Sequence, residues 1–489
     1  MAALNAMEEV LKRYEPVIGL EVHAQLRTES KIFCDASTEF TPEQPNKNVN
    51  AYCIGMPGML PVLNESVVQM AIRAGLALNC RINQTSIWSR KHYFYPDLSK
   101  GYQLSQYDQP ICEHGRLIID SGNDEEKQIG VTRIHMEEDA GKNTHVDGAP
   151  YTLVDYNRAG VPLLEIVSEP ELHSAVDAAS YLRALRSILM TLDVCDGNME
   201  EGSFRCDANV SLRPVGSKTL GTRCEVKNIN SFRFVQQAIN YEILRHAKIL
   251  DSGQSIVQET RLFDSAKKET RSMRSKEDAH DYRYFPDPDL PPLVIPDDWI
   301  NAAKNSLPEL PRNKKARYAA LGLSAEHAQT ITEEAELSNF FDETIAHAPG
   351  HESAVANFLL GDFLRELKDG NARISELKFS TEDLAKLVIL KETDKISSSQ
   401  QKKIFQKMWH DGSKVDELMK KEGEQLTDTS ILGPIVDDVL QRHPQQVQQL
   451  KDGKEKVISF LMGQVMRETK GKAKPPLIQK LIREKVKEL

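Results

Sequence analysis

Strands gathered in the first half of the chain and helices in the second make up the fold class that the sequence predicts. Three observations predict it. Up to about residue 280, short strand-like runs alternate with Gly and Pro punctuation and only a few helices interrupt them. The run DYRYFPDPDLPPLVIP, residues 281–296, then holds five prolines, which can sustain neither a helix nor a central strand, and it reads as an extended junction. Beyond it, nearly every segment carries apolar residues at helical spacing.

The elements follow in order. VIGLEVHAQL alternates strictly, with Leu20, Val22, Ala24 and Leu26 on one face and Glu21, His23 and Gln25 on the other. TRIHMEEDAGK adds His135, Glu137, Glu138, Asp139 and Lys142, and VPLLEIVSEP carries Glu165 inside an otherwise apolar strand. Helices are expected over 178–192, where Leu182, Leu185, Leu189 and Leu192 repeat at helical spacing, and over 234–250. FRCDANVSLRP sets Asp207, Asn209, Ser211 and Arg213 opposite Cys206, Ala208, Val210 and Leu212, while in TRCEVKNINSF, Glu225 and Lys227 share a face. After the junction, helices are expected over 314–323, 353–366, 381–390 and 398–409. A break at HDGS (410–413) precedes four more, over 431–441, 444–451, 454–469 and 476–487.

Composition bounds the function. The 489 residues are 40% hydrophobic and 27% charged, a globular balance that supports about two to four domains. No run approaches about 18 uninterrupted apolar residues, so no membrane span is expected. Seven cysteines, an odd number over such a length, and a charged first segment point to a reducing, cytoplasmic setting. The net charge of −10 is uneven: residues 451–489 carry 11 Lys or Arg against 5 Asp or Glu. An acidic body with a basic tail is either a local footprint for phosphates or a solvated helical face.

One polar strand face is usually a wet outer face. Glu165 resists that reading, because an ionised carboxylate among apolar neighbours is costly to desolvate unless a cation or donor meets it. Carboxylates and an imidazole on facing strands would suit Mg²⁺ and phosphoryl transfer. The chain has no phosphate-binding G-x-x-x-x-G-K-[ST] loop, no G-x-S-x-G elbow and no cysteine in a nucleophile context. If it uses ammonia, another subunit must supply it.

Eight segments, in order, resemble one family: VIGLEVHAQL, MPGMLPVLN, RKHYFYPDLSKGYQLSQYDQPI, HMEEDAGK, LLEIVSEPE, MEEGSFRCDANVSLRP, EVKNINSF and DYRYFPDPDLPP. They are similar to the B subunits of the aspartyl/glutamyl-tRNA amidotransferases, from about Tyr14 to the C-terminus. The resemblance implies an α+β fold: a cradle-like catalytic domain on antiparallel sheet (1–293), a helical domain (294–410) and a small YqeY-like, tRNA-binding helical tail (411–489). It implies a carbon–nitrogen ligase that uses ATP and Mg²⁺ to phosphorylate the side-chain carboxylate of misacylated Glu-tRNA(Gln), Asp-tRNA(Asn) or both. Ammonia from a glutaminase A subunit then displaces phosphate, in a heterotrimer completed by a small C subunit. The family's metal positions fall on Glu21, His23, Glu138, Glu165, Asp207 and Glu225, with Glu137 a close alternate. Asp207 and Lys227 take catalytic roles; Lys91 and Lys142, like Lys227, are chosen from charge and placement for contact with ATP or acyl phosphate. Salt-bridging to the carboxylates is the alternative for these lysines. Members with a structural zinc carry C-x-C and then C-x-x-C; here the positions read Cys34, Ala36, Asn50 and Cys53, and two thiolates cannot close a tetrahedral site, so no zinc is expected. The rival from another class is a non-catalytic tRNA-binding scaffold.

Overall fold

The computed structural model of the chain describes residues 2–41, 43–121, 125–146, 148–273, 282–370, 372–422, 428–469 and 471–488. Asp281 of the junction and Lys470 and Leu489 of the basic tail lie outside the described residues. Two compact units divide the chain, Met1–Pro311 and Arg312–Leu489.

The strands of the first unit are β1 (Tyr14–Gln25), β2 (Arg81–Ile82), β3 (Thr85–Ser86), β4 (Trp88–His92), β5 (Tyr102–Gln106), β6 (Cys112–Asp120), β7 (Glu126–Glu138) and β8 (Lys142–His145). They continue with β9 (Thr152–Asp155), β10 (Pro162–Ser168), β11 (Phe204–Pro214), β12 (Cys224–Ile229), β13 (Thr260–Asp264), β14 (Glu269–Ser272), β15 (Phe285–Pro286) and β16 (Leu293–Val294). Among the described residues, one large sheet runs β14-β13-β12-β11-β1-β10-β7-β5-β4-β15, with β6 also on β7. Its pairs are antiparallel except β12 with β13. The expected antiparallel α+β half is therefore observed, with one parallel step.

Alternation explains why these segments are strands. Leu20, Val22 and Ala24 of β1, and Ala208 and Val210 of β11, are buried in one apolar cluster with the helices Glu65–Ala77, Ala175–Thr191 and Phe232–Asp251. Ser174 starts the second of these helices by accepting the Asp177 N–H, and Leu182, Leu185 and Leu189 on its inner face are fully buried. Each such leucine contributes roughly 1.5–3 kcal/mol relative to exposure. The proline-rich junction is extended, as expected, but it is also stitched to the sheet: β15 pairs with β4, and Arg90 donates to Asp287 at 2.6 Å.

The third helix is anchored by a buried charge. Glu242 accepts from Arg245 at 2.7 Å and from the Thr270 hydroxyl, and it lies 3.2 Å from both Arg261 Nε and His246 Nε2. Burial opposes its ionisation, but the adjacent His246 imidazole and the bonds from Arg245 and Thr270 win and hold its carboxyl down at about 2.

The second unit is helical among the described residues. Its first cluster packs Tyr318, Phe341, Phe363, Phe405 and Met408; its second packs Leu432, Val436, Leu461, Ile478 and Ile482. The helix expected over 353–366 is interrupted by a π turn at Leu359–Phe363, whose wider winding brings Phe363 against the ring of Phe340, 5.0 Å away. The HDGS break is a helix end: Ser398–Asp411 stops at Gly412, whose φ of +67° supplies the left-handed cap. Val415 and Leu418 after it pack into the first cluster, and Leu432 begins the second.

A carboxyl lowered on folding stabilises above its unfolded value and loses that contribution as pH falls through the folded value. Glu242→Gln is therefore expected to cost about 3 kcal/mol at neutral pH. The deficit should narrow as pH falls from about 5 toward 2, which calorimetry of both proteins across that range checks. A deficit that does not change with pH would contradict the assignment.

Candidate functional site

The polar face of the sheet is assembled by register. His23 of β1 stands opposite Glu165 of β10, and Glu165 opposite His135 of β7. On the other side of β1, Glu21 stands opposite Asp207 of β11, and Asn209 opposite Glu225 of β12. Paired residues in antiparallel strands project to the same side, so the polar halves of five strands converge.

Glu165 is the centre. Its Oε2 lies 3.4 Å from Nε2 of both His23 and His135, and Arg133 approaches its Oε1 at 3.5 Å. His23 Nε2 is also 3.6 Å from Glu137 and 3.8 Å from Glu21. Arg133 Nε donates to His135 Nδ1 at 3.3 Å, which leaves Nε2 of that ring to face Glu165. Burial alone would raise Glu165, yet His135 and then His23 outweigh it and hold the carboxyl well below its usual range. Glu21 shifts the other way, raised by burial and by the negative charges of Glu165 and Asp207. His23 is raised: burial disfavours its charge, and the bond to Glu165 with the nearby Glu137 overcomes that.

A second group continues along the face. Lys227 bonds to Asp207 and lies 3.2 Å from Glu225, whose other oxygen accepts from the Thr260 hydroxyl at 2.8 Å. Despite burial, the two carboxylates raise the Lys227 ammonium, which stays charged. Arg205, opposite His23, donates to Asp139 at 2.8 Å, and Gln25 reaches the same carboxylate at 2.9 Å. An aromatic wall stands nearby: Tyr284 stacks on Tyr107 at 4.2 Å, and burial followed by Glu137 and Glu165 raises its phenol.

Of the residues expected from the sequence, Glu21, His23, Glu165, Asp207, Glu225 and Lys227 come together on this face. Glu138 does not. Strand parity turns it away from Glu137, and Lys100 holds both its oxygens, at 2.5 and 2.6 Å. Glu137, the alternate, sits beside His23 instead. Lys91 lies over the ring of Tyr282, 5.0 Å from its centre, and Lys142 is exposed on β8, paired with β9 rather than with the large sheet. Arg133, His135 and Arg205 were not among the chosen site residues; each has the same parity as Glu137 or Asp207, so alternation marked them. Lys100 had no such signal.

The donor set suits a hard divalent cation. Glu21, His23 and Glu165 each offer a ligand atom within 4.8 Å of one another, as do His135, Glu137 and Glu165. Cys224, Glu242 and His246 also cluster, but two guanidinium groups already neutralise Glu242.

Residues 16–301, which contain every group named above, match the GatB/GatE catalytic domain, and residues 339–486 match the GatB domain. The chain belongs to the GatB family. It is 51% identical over 476 residues to a protein of Syntrophotalea carbinolica, covering 97% of this chain and 99% of that one. Identity is also 51% over 475 residues to a Myxococcus xanthus protein (97% and 98%) and 50% over 479 to one of Geobacter sulfurreducens (97% and 99%). Each of the three is named as the B subunit of an aspartyl/glutamyl-tRNA(Asn/Gln) amidotransferase. Membership in the family that the eight segments resemble is thereby established.

The parity of Glu137 and Glu138 gives a direct expectation. In a Mn²⁺ titration followed by electron paramagnetic resonance, Glu137→Gln and Glu165→Gln should each weaken binding by at least about tenfold, while Glu138→Gln leaves it nearly unchanged. The reverse order would move the cation to the Lys100 side of β7.

Proposed function

We propose that this chain is the kinase-and-transamidase subunit of a tRNA-dependent amidotransferase, a carbon–nitrogen ligase with glutamine as amido donor. Its substrates are Glu-tRNA(Gln), Asp-tRNA(Asn) or both. The observation that carries the reading is Glu165, an ionised buried carboxylate between two imidazoles, on a face that continues to Lys227 between Asp207 and Glu225. A carboxylate is a poor acyl donor to ammonia, because the leaving group would be an oxide. Transfer of the γ-phosphoryl group of ATP to the substrate's side-chain carboxylate supplies a good leaving group. Ammonia then attacks the acyl carbon, the amide forms and inorganic phosphate departs.

The residues divide the work. Glu21, His23, Glu137 and Glu165 would hold Mg²⁺, which when bound neutralises charge on the phosphate oxygens of ATP. Asp207 and Lys227 act as the catalytic pair: Asp207 fixes the ammonium, and the ammonium meets the transferring phosphoryl group. Arg133 and Arg205, both within reach of the carboxylates, add positive charge at the edge. Tyr107 and Tyr284 screen the acyl phosphate from water, whose attack would waste it. No nucleophile motif for glutamine hydrolysis occurs, so ammonia comes from a separate glutaminase A subunit, with a C subunit completing a cytoplasmic heterotrimer. No described helix is long and apolar enough to cross a membrane. The helices Thr429–Arg442, Pro444–Lys451, Val457–Glu468 and Pro475–Glu488 form the tRNA-binding tail, where the basic excess lies.

The test is ATP hydrolysis stimulated by misacylated tRNA in the assembled complex. Asp207→Ala and Glu225→Ala should each lower it by about 10²-fold or more while glutamine hydrolysis by the A subunit persists. Deleting residues 428–489, which leaves Val415 and Leu418 in the preceding cluster, should weaken tRNA binding. It should also flatten the salt dependence, by roughly one counterion per lost phosphate contact. Full tRNA-stimulated hydrolysis in Asp207→Ala would favour a scaffold that does no chemistry.

A further inference from the structure

Away from the carboxylate face, two of the seven cysteines meet. The Sγ atoms of Cys34 and Cys53 are 3.6 Å apart, and Nζ of Lys31 is 3.4 Å from the Cys53 sulfur. Lys31 is fully buried, and its other partner is the carbonyl of Tyr156 at 3.3 Å. Among the described residues, no carboxylate forms an ion pair with that ammonium. Burial lowers the Lys31 ammonium, and the group that most strongly opposes this and favours its charge is Cys53.

The hydrogen-bond pattern agrees. The Cys34 thiol, a backbone hydrogen bond from Asn50 and the Lys31 ammonium together lower Cys53 to about 6, in that order apart from the opposing effect of burial. Cys34 is raised, because it donates to that sulfur and is itself partly buried. One sulfur is thus a nucleophile and the other a thiol waiting beside it, the pairing that reactive dithiols use. The remaining cysteines are suppressed: burial raises Cys80 and Cys195 to about 12, and it raises Cys112, Cys206 and Cys224 as well.

We propose that Cys34 and Cys53 are an oxidisable dithiol that closes to a reversible intramolecular disulfide in reaction with hydrogen peroxide. The Cys53 thiolate attacks one peroxide oxygen, the O–O bond breaks, and Cys53 sulfenic acid and hydroxide form. Cys34 then attacks the sulfenic sulfur, the S–O bond breaks, and the sulfenic hydroxyl leaves as water with the Cys34 proton, while the hydroxide from the first step takes one proton from solvent. Two thiols lose two electrons, and one peroxide becomes two waters. Burial selects the oxidant by size. Cys53 is 4% exposed and borders a small cavity lined by Tyr52, Ser99, Lys100, Glu138 and Gly160, which has no room for a disulfide such as oxidised glutathione. The Lys31 ammonium, pressed against this pair, is also a poor neighbour for a metal cation.

Treating the full-length protein with hydrogen peroxide near pH 7 and mapping its peptides tests this. Two of the seven thiols should be lost, in a cross-link joining the Cys34 and Cys53 peptides that dithiothreitol reverses. Cys34→Ser should abolish the cross-link and leave Cys53 as a sulfenic acid, which dimedone traps when the oxidised protein is unfolded in its presence. Oxidised glutathione should label the pair at least about tenfold more slowly than peroxide oxidises it. The proposal is overturned if both residues remain thiols in the wild-type map, or if Cys53 proceeds to sulfinic acid with no cross-link to Cys34.

Discussion

Glu165 lies between His23 of one neighbouring strand and His135 of the other, and the remaining groups of the polar face take their places from those two contacts. The contacts exist because β1 and β7 pair with β10 in one register. A slip of one residue would turn Glu21, His23 and Gln25 into the apolar cluster and bring Leu20, Val22 and Ala24 out of it. The core therefore enforces the site: burying Leu20, Val22 and Ala24 behind the sheet fixes which side chains face the front.

The same constraint explains how so many like charges can be kept. Glu21, Glu137, Glu165, Asp207 and Glu225 would repel one another on an isolated sheet. Here the imidazoles of His23 and His135 and the cations of Arg133 and Lys227 are interleaved with them, at 3.2–3.8 Å from Glu21, Glu137, Glu165 and Glu225 and with Lys227 bonded directly to Asp207. The balance is incomplete, since Glu21 is pushed up by its carboxylate neighbours while Glu165 is pulled down. Residual negative charge beside fixed positive charge is what a site for a divalent cation and a phosphate chain requires. Stability comes from elsewhere, from the apolar face and from knots such as Glu242 with Arg245 and Arg261.

Much of this was legible in the sequence because strands have a period of two. Alternation alone assigned Glu21 and His23 to one face of β1, Asp207 to one face of β11, and Glu225 with Lys227 to one face of β12. The resemblance puts a metal position on Glu138 with Glu137 as the alternate; the two differ in parity, and which parity faces the site depends on a register that the sequence of one strand does not contain. Lys100 was invisible for a related reason. It lies in a turn between β4 and β5, where no periodicity says which way a side chain points, and only the fold brings it to Glu138. Charge and placement point to Lys142, yet β8 pairs with β9 rather than with the large sheet. The helices named from periodicity lie within a few residues of the observed ones, except where the π turn at Leu359–Phe363 breaks the 3.6-residue period. Glu65–Ala77, Asp297–Asn305, Ala325–Glu333, Ala335–Ala346 and Val415–Glu422 were not among them.

The central claim is that the polar halves of β1, β7, β10, β11 and β12 form one cation-and-phosphate site. Anomalous diffraction at the manganese edge, from crystals of the full chain grown with Mn²⁺ and a non-hydrolysable ATP analogue, tests it most directly. The account predicts an anomalous peak within about 2.5 Å of ligand atoms from at least three of Glu21, His23, Glu137 and Glu165, with the analogue's phosphates toward Lys227. A peak held by Glu138 on the far side of β7, or phosphates bound away from this face, would contradict it.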